Sequence, residues 1–324
     1  MTTELRPQSL GEILDSSLSL YRKHFAIFTG ITAFPVATYY FLFFIATVSS
    51  RGLIKAWAHN VPSITAILVF DALSYLVYPM LLGLSSAATT RAIYALYLDQ
   101  KFGIARSYRD VRPHGLRSAA VKLAEVLYTW TPAVVLYAGF FGIAGLIPPA
   151  FGGIGRSGAG SALGWTLISL AVVLGLWMRV RYSLCVNASI SENLKVHAAL
   201  KRSVALTLKG RGRILIAVLL YMALYYALRY PIQMLSPRWP SRGGIAAIFS
   251  PHNMLEWLCA FIVATLLHSF WNIAITLFYY DERIRKEGFD IQFMMDRASL
   301  TQTEEADVMP NAGLASIAPG EVLG

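Results

Sequence analysis

Three residues with polar side chains lie inside long apolar runs of this 324-residue chain. Asp71 interrupts the second run, and His268 lies in the middle of the last run, one helical turn before Asn272. An ionisable group in such a setting is costly, which makes it a candidate for a proton relay or a polar pocket. For Asp71 the interpretation that we favour is structural, because it lies near the predicted outer interface and could bond Ser74 or a tyrosine. Glu125 and Glu256, near the starts of two other runs, are lesser candidates.

A serine nucleophile is a second possibility for the same runs. The segment 83–87 contains Ser85 and Ser86 beside small residues, and with His268 it could suggest an intramembrane serine protease. That chemistry requires a hydrogen-bonded base and nearby oxyanion donors. Small residues also let membrane helices pack closely, which is the interpretation that we favour. We therefore predict no catalytic residues, no bound cofactor and no metal ligands.

The elements that must hold these residues are six continuous apolar runs. The chain is 56% hydrophobic and only 14% charged. A helix needs roughly 20 apolar residues to cross a membrane, and each run reaches that length. Continuous rather than alternating hydrophobicity excludes a membrane β-barrel. The sequence therefore predicts an all-α polytopic bundle with about six transmembrane helices near 25–48, 63–97, 119–148, 162–186, 213–235 and 254–280.

Amphipathic segments flank these runs within a helical membrane domain predicted at 1–298. At 8–25 we predict an interfacial helix that begins with a capping box of Ser9 and Glu12. The spacing of Ser189 and Glu192 predicts a second capping box, at the start of a basic helix over 189–214. A short inner helix, broken near Gly288, is predicted at 281–298. The acidic remainder, 299–324, is expected to be disordered.

Basic residues are distributed unevenly along the chain, which carries a net charge of +10. With a cytoplasmic N-terminus, the outward loops keep only Arg51, Lys55, Arg156, Arg229, Arg238 and Arg242. The positive-inside rule then places both termini in the cytoplasm. Anionic headgroups attract basic residues beside a membrane, so nucleic acid is not expected as a partner. The predicted contacts to anionic lipid, or to a membrane or cytoplasmic protein, are Lys195, Lys201, Arg202, Lys209, Arg211 and Arg213.

Three segments together resemble a known family. They are LRPQSLGEILD at 5–15 with LYRKHF at 20–25, ALKRS at 199–203 with Leu206, Thr207 and Gly210, and FYYDERIRKEGFD at 278–290. This set resembles the bacterial multi-pass proteins called glycerophosphoryl diester phosphodiesterase membrane domain proteins. The resemblance covers most of residues 5–296, and its third segment is the most specific. It implies a multi-pass protein of the bacterial plasma (inner) membrane and almost no mechanism.

The phosphodiesterase activity in the family's name is not expected in this chain. That activity belongs to a soluble barrel of about 250 residues, and no polar segment here is long enough to form one. The barrel also begins with a His-Arg-Gly motif, and no histidine here is followed by Arg-Gly. The chain is therefore expected to be non-enzymatic.

Two functional hypotheses remain open. The first is a scaffold or anchor module that engages anionic lipid or a partner protein at the cytoplasmic face. The alternative is a transporter or lipid-handling protein with a polar intramembrane site near Asp71 and His268. A third hypothesis, an enzyme acting on lipid headgroups, lacks a supporting pair of residues.

Overall fold

The computed structural model describes residues 7–56, 62–146, 158–235, 250–289, 291 and 295. Within this part the chain forms ten α-helices and one short 3-10 helix, with no β-strand. The 3-10 helix, Arg112–His114, leads directly into the fifth α-helix. The α-helices are α1 (Leu10–Lys23), α2 (Phe25–Ala56), α3 (Pro62–Tyr97), α4 (Ile104–Val111), α5 (Gly115–Leu146), α6 (Gly158–Tyr182), α7 (Cys185–Ser191), α8 (Val196–Thr207), α9 (Arg211–Leu235) and α10 (Pro251–Glu287).

Five segments of the described chain are helical, long and apolar enough to cross a membrane. They are Phe25–Ile45, Ile104–Leu136, Gly164–Ser191, Arg211–Met234 and Asn253–Glu287. The remaining predicted span, 63–97, corresponds to α3, which is 36 residues long. The first side chains of α3, including that of Asp71, lie outside the described part of the structure. The predicted all-α membrane bundle is confirmed.

The chain divides into two compact units, Gln8–Tyr279 and a second unit that includes Tyr280 and the residues after it. In the first unit, α10 is the most enclosed membrane helix. In its most apolar window 56% of residues are buried, against 17% to 28% in the other four segments. Its side chains bond to α2, α3, α7 and α9, so α10 is the central helix of this unit.

Helix α1 begins as the sequence predicts. The hydroxyl of Ser9 accepts from the backbone N–H of Glu12, and the Glu12 carboxylate accepts from the backbone N–H of Ser9. This reciprocal pair satisfies two N–H groups that have no partner inside the helix. The buried residues Ile13, Ser17 and Tyr21 are four residues apart and share one face of α1.

The second predicted capping box is wrong. Ser189 lies inside α7, fully buried, and its hydroxyl donates to the backbone carbonyl of Leu194 at 2.8 Å. The chain then turns at Asn193, which has a φ of 54°, a conformation that asparagine tolerates better than most residues. Helix α8 begins only at Val196, with Lys195 as its N-cap residue. The predicted basic helix is therefore divided among α7, α8 and α9.

The second unit contains the last turns of α10. Asp281 pairs with Arg285 at 3.0 Å and Glu282 with Lys286 at 3.2 Å, each pair one helical turn apart. Gly288 follows the helix with a φ of 61°, which only glycine adopts without cost. The predicted 281–298 helix thus begins as a continuation of α10 and breaks at Gly288. The predicted disordered tail at 299–324 lies outside the described residues.

Candidate functional site

A cavity of 340 Å³ lies among α3, α5, α6, α9 and α10. This volume is within the range of small-molecule sites in proteins. Its apolar lining includes Pro79, Leu82, Val126, Trp130, Leu176, Val218, Met222 and Trp271. Its polar lining comprises Lys122, Arg179, Tyr78, Tyr221, Tyr225, Tyr226, His268 and Asn272. Because the rings of the four tyrosines add apolar surface, the described lining is a mostly apolar wall that carries polar and charged groups, the composition that is typical of ligand pockets.

The charged groups of the cavity meet at Glu125. This residue is fully buried in α5. Its carboxylate accepts from Lys122 Nζ at 2.8 Å, and it pairs with an Nη1 hydrogen of Arg179 in α6. The thiol of Cys185 in α7 donates to the same carboxylate at 3.4 Å. A carboxylate in a dry interior is stable only when it is paired and hydrogen-bonded, and here three donors from three helices do so.

His268 and Tyr221 form the neutral polar part of the wall. His268 Nδ1 lies 2.9 Å from the carbonyl oxygen of Ala264, one turn earlier in α10. This contact requires a proton on Nδ1, which leaves Nε2 as the acceptor of the neutral ring. The Tyr221 hydroxyl in α9 lies 3.4 Å from Nε2 and is placed to donate to it. The ring of Tyr78 packs edge-on against His268, with ring centroids 6.1 Å apart.

Asn272 joins the cavity to the interior of the bundle. Its Nδ2 donates to the hydroxyl of Ser85 in α3 at 3.1 Å. Ser85 in turn donates to the Thr32 hydroxyl in α2 at 3.3 Å. One turn further along α10, the Thr276 hydroxyl accepts from Asn187 Nδ2 of α7 at 2.8 Å. A continuous row of buried polar side chains therefore ties α2, α3 and α7 to α10.

Ser85 belongs to this packing network. Its described hydrogen bonds go to Thr32 and Asn272, whereas His268 bonds to Ala264 and Tyr221. The glycine two residues earlier, Gly83, touches α5 so closely that an added Cβ would lie 2.7 Å from the Ser118 carbonyl oxygen. These contacts support helix packing as the role of segment 83–87.

Two of the predicted intramembrane site residues come together and one is not described. His268 and Asn272 both line the cavity, on one face of α10. Asp71 belongs to α3, but its side chain lies outside the described part of the chain. The sequence interpretation did not place Lys122 and Arg179 in the site. The available signal was Lys122 three residues before Glu125, a charged pair on one face of an otherwise apolar run.

Half of the predicted lipid-contact residues are exposed. Lys195, Lys201 and Lys209 are exposed near or within α8, whereas Arg211 is partly buried at the start of α9. The three lysine side chains therefore reach the protein surface. Their charges are thus available to an anionic surface.

The other predicted contact residues bond within the protein. Arg202 Nε lies 2.7 Å from Oε2 of Glu192, and the Tyr279 hydroxyl donates to Oε1 of the same carboxylate at 2.8 Å. Arg213 Nη1 donates to the backbone carbonyl of Gln8 at 3.0 Å. These two arginines connect α8 and α9 to neighbouring parts of the first unit.

Comparisons of this chain with protein-family models, with curated proteins and with solved structures found no match.

Proposed function

We propose that this protein binds an amphipathic, lipid-like molecule inside its membrane bundle and acts as a non-enzymatic lipid-handling protein or transporter. One observation carries the proposal: the cavity has a charged group of residues, Lys122 and Arg179, beside a wall that is otherwise mostly apolar. Ionisable residues within membrane helices are expensive and usually mark a pathway or a site. A molecule with a polar head and an apolar chain satisfies both parts of such a lining.

The length and the lining of the cavity are suited to a hydrocarbon chain. Along α5 its lining extends from Lys122 to Trp130, which corresponds to about 12 Å of helix at 1.5 Å per residue. Apolar residues of five helices line this stretch, and a hydrocarbon chain placed there would replace lipid contacts with protein contacts. Polar groups then fix the orientation of the head, as in other ligand sites.

A cavity-filling substitution tests this proposal. Val126 lines the cavity on α5, whereas its exposed neighbour Leu127 does not belong to the described lining. Val126→Phe should reduce the lipid that remains bound to the protein purified in a mild detergent, measured by native mass spectrometry. Leu127→Phe adds a similar aromatic volume outside the cavity and should retain the bound lipid. Equal lipid content in the two variants would contradict the proposal.

The exposed lysines favour a second candidate function, a scaffold or anchor at an anionic surface or partner protein. Lys195, Lys201 and Lys209 each add about 1 kcal/mol of attraction near such a membrane. The full chain in zwitterionic nanodiscs should bind vesicles that contain anionic lipid. Changing all three residues to glutamine should weaken this binding, and changing them to arginine should not. Unchanged vesicle binding by the glutamine variant at low salt would exclude this role.

We also propose that the protein lies in the bacterial inner membrane. The charge distribution predicts that both of its termini face the cytoplasm. Under the same proposal the chain is a member of the glycerophosphoryl diester phosphodiesterase membrane domain family. Reporter fusions at Arg117 and at Gly210 should report the cytoplasm, and a fusion at Gly243 should report the opposite side. The reverse pattern would overturn the orientation.

A further inference from the structure

We propose that the ligand of the cavity carries an anionic headgroup, a phosphate or carboxylate on an apolar chain, and that Lys122 and Arg179 bind that headgroup. The inference rests on the proposed function, because it names the chemical class of the molecule that the cavity takes. Three observations support it: the charge balance, the free donors and the chemistry of the remaining wall.

The charge balance of the site is positive. Among the described residues, Lys122 and Arg179 are the cations that line the cavity, and Glu125 is the carboxylate that pairs with both. Two positive charges and one negative charge leave an excess of one positive charge. An uncompensated charge between membrane helices is unfavourable, and a bound monoanion neutralises it.

The two cations also keep donors available for such an anion. Lys122 has three N–H donors, and in the described structure one of them bonds, to Glu125. Arg179 bonds to Glu125 from Nη1, and the described residues provide no acceptor for its Nε or Nη2. The Arg179 side chain is 24% exposed and lines the cavity. A guanidinium with free donors matches the two oxygens of a phosphate or carboxylate.

The rest of the wall selects for a molecule with a chain. Tyr221, His268 and Asn272 can form hydrogen bonds to a headgroup. Met222 offers only an apolar surface, and Trp130 adds a single indole N–H donor to an apolar ring. Free inorganic phosphate would leave this apolar surface uncovered. An anion attached to a hydrocarbon chain uses both the cations and the apolar wall.

The test uses the full chain in a neutral maltoside detergent and measures thermal stabilisation by added ligand. The probes share two short acyl chains: dioctanoyl phosphatidic acid is anionic, dioctanoyl phosphatidylcholine is zwitterionic and dioctanoylglycerol lacks phosphate. Decanoate tests whether a carboxylate headgroup on an apolar chain is bound. Inorganic phosphate tests whether an anion without a chain is bound. The wild-type protein should bind the anionic lipid about tenfold or more tightly than the other two lipids, and inorganic phosphate should bind weakly.

Two substitutions at the same charged cluster should act in opposite directions. Lys122→Met removes the excess charge and should abolish the preference for the anionic lipid. Glu125→Gln raises the excess positive charge from one to two and should strengthen the preference for the anionic lipid. Both substitutions disturb the same ion pairs, so a loss of these pairs alone would change the preference in the same direction in both variants. Lys101→Met removes an exposed lysine that neither lines the cavity nor belongs to the predicted lipid contacts, and it should leave the preference unchanged.

The outcomes separate the two proposals. Equal binding of anionic and uncharged lipids, with no effect of Lys122→Met, would overturn the anionic headgroup while keeping an amphiphile site. A parallel loss of preference in Lys122→Met and Glu125→Gln would also overturn it. The proposed function itself would be wrong if the wild-type protein bound none of these lipids and Val126→Phe did not reduce the lipid that remains bound on purification.

Discussion

The backbone N–H of Leu184 donates to the hydroxyl of Ser203 at 3.2 Å. This bond lies where α6 has ended and α7 has not yet begun. The same hydroxyl donates to the carbonyl oxygen of Arg181 at 2.9 Å. Irregular backbone is tolerated at membrane depth only where protein groups satisfy it, and one serine of α8 satisfies both sides of this break.

The first prediction concerns this serine. Ser203→Ala should leave the buried N–H of Leu184 without its partner, which costs about 1–3 kcal/mol of unfolding free energy. The Arg181 carbonyl keeps the Thr207 hydroxyl as a donor at 3.5 Å. Ser169→Ala is the matched control, because the exposed Ser169 hydroxyl bonds only to Trp165 of its own helix. Unfolding in mixed detergent micelles measures both variants. Equal stability of the two would contradict the role assigned to Ser203.

Glu125 provides the second prediction. Glu125→Gln should destabilise the bundle by about 3–5 kcal/mol, because it leaves Lys122 and Arg179 facing a neutral group in a buried site. Glu256→Gln removes the carboxylate of another ion pair, with Arg229 at 3.3 Å. Glu256 is 22% exposed, whereas Glu125 is 1% exposed, so the cost at Glu256 should be smaller than at Glu125. A larger loss at Glu256 than at Glu125 would invalidate this ranking.

Gly83 gives the third prediction. An added Cβ there would lie 2.7 Å from both the Ser118 carbonyl oxygen and Lys122 Cβ. Gly83→Ala should therefore push α3 away from α5 and cost about 1–3 kcal/mol. Gly212→Ala, at a position with no atom within 4 Å of the new Cβ, should stabilise the protein by up to about 1 kcal/mol. A tolerated alanine at Gly83 would show that the two helices can separate freely.

The bond between Asn272 and Ser85 gives the fourth prediction. A double-mutant cycle with Asn272→Ala and Ser85→Ala isolates their coupling, which should be about 0.6–1.7 kcal/mol, as for other hydrogen bonds between membrane helices. Asn272 is also a cavity residue, so its variant should weaken ligand binding as well. Additive effects of the two substitutions would mean that the bond contributes nothing measurable to stability.

His24, between α1 and α2, gives the fifth prediction. Burial, and then the charge of Lys23, hold the pKa of His24 below its ordinary value. Its ring packs edge-on against Phe102 at 5.0 Å. The unfolded chain therefore binds the proton more readily, so stability is fully present above about pH 6.5 and falls as the pH decreases from there. His24→Phe should flatten this part of the stability profile; an unchanged slope would assign it to another group.

Several features could be predicted from the sequence because they depend on local patterns. Apolar runs of sufficient length define the membrane helices whatever their neighbours are. Ser9 and Glu12 are three residues apart at the start of α1, so their capping box forms without any tertiary contact. The similar pair Ser189 and Glu192 failed as a cap because packing buried Ser189 inside α7.

The site itself required the tertiary structure. In a membrane both the lipid-facing and the buried faces of a helix are mostly apolar, so the hydrophobic pattern does not reveal which face meets which neighbour. His268 and Asn272 could be grouped from their spacing on one helix, but Arg179 reaches Glu125 across 54 positions of sequence. The sequence by itself determined that this chain is a helical membrane protein with rare polar residues in its spans. Only the rotation and packing of α5, α6 and α10 decided that those residues meet around one cavity.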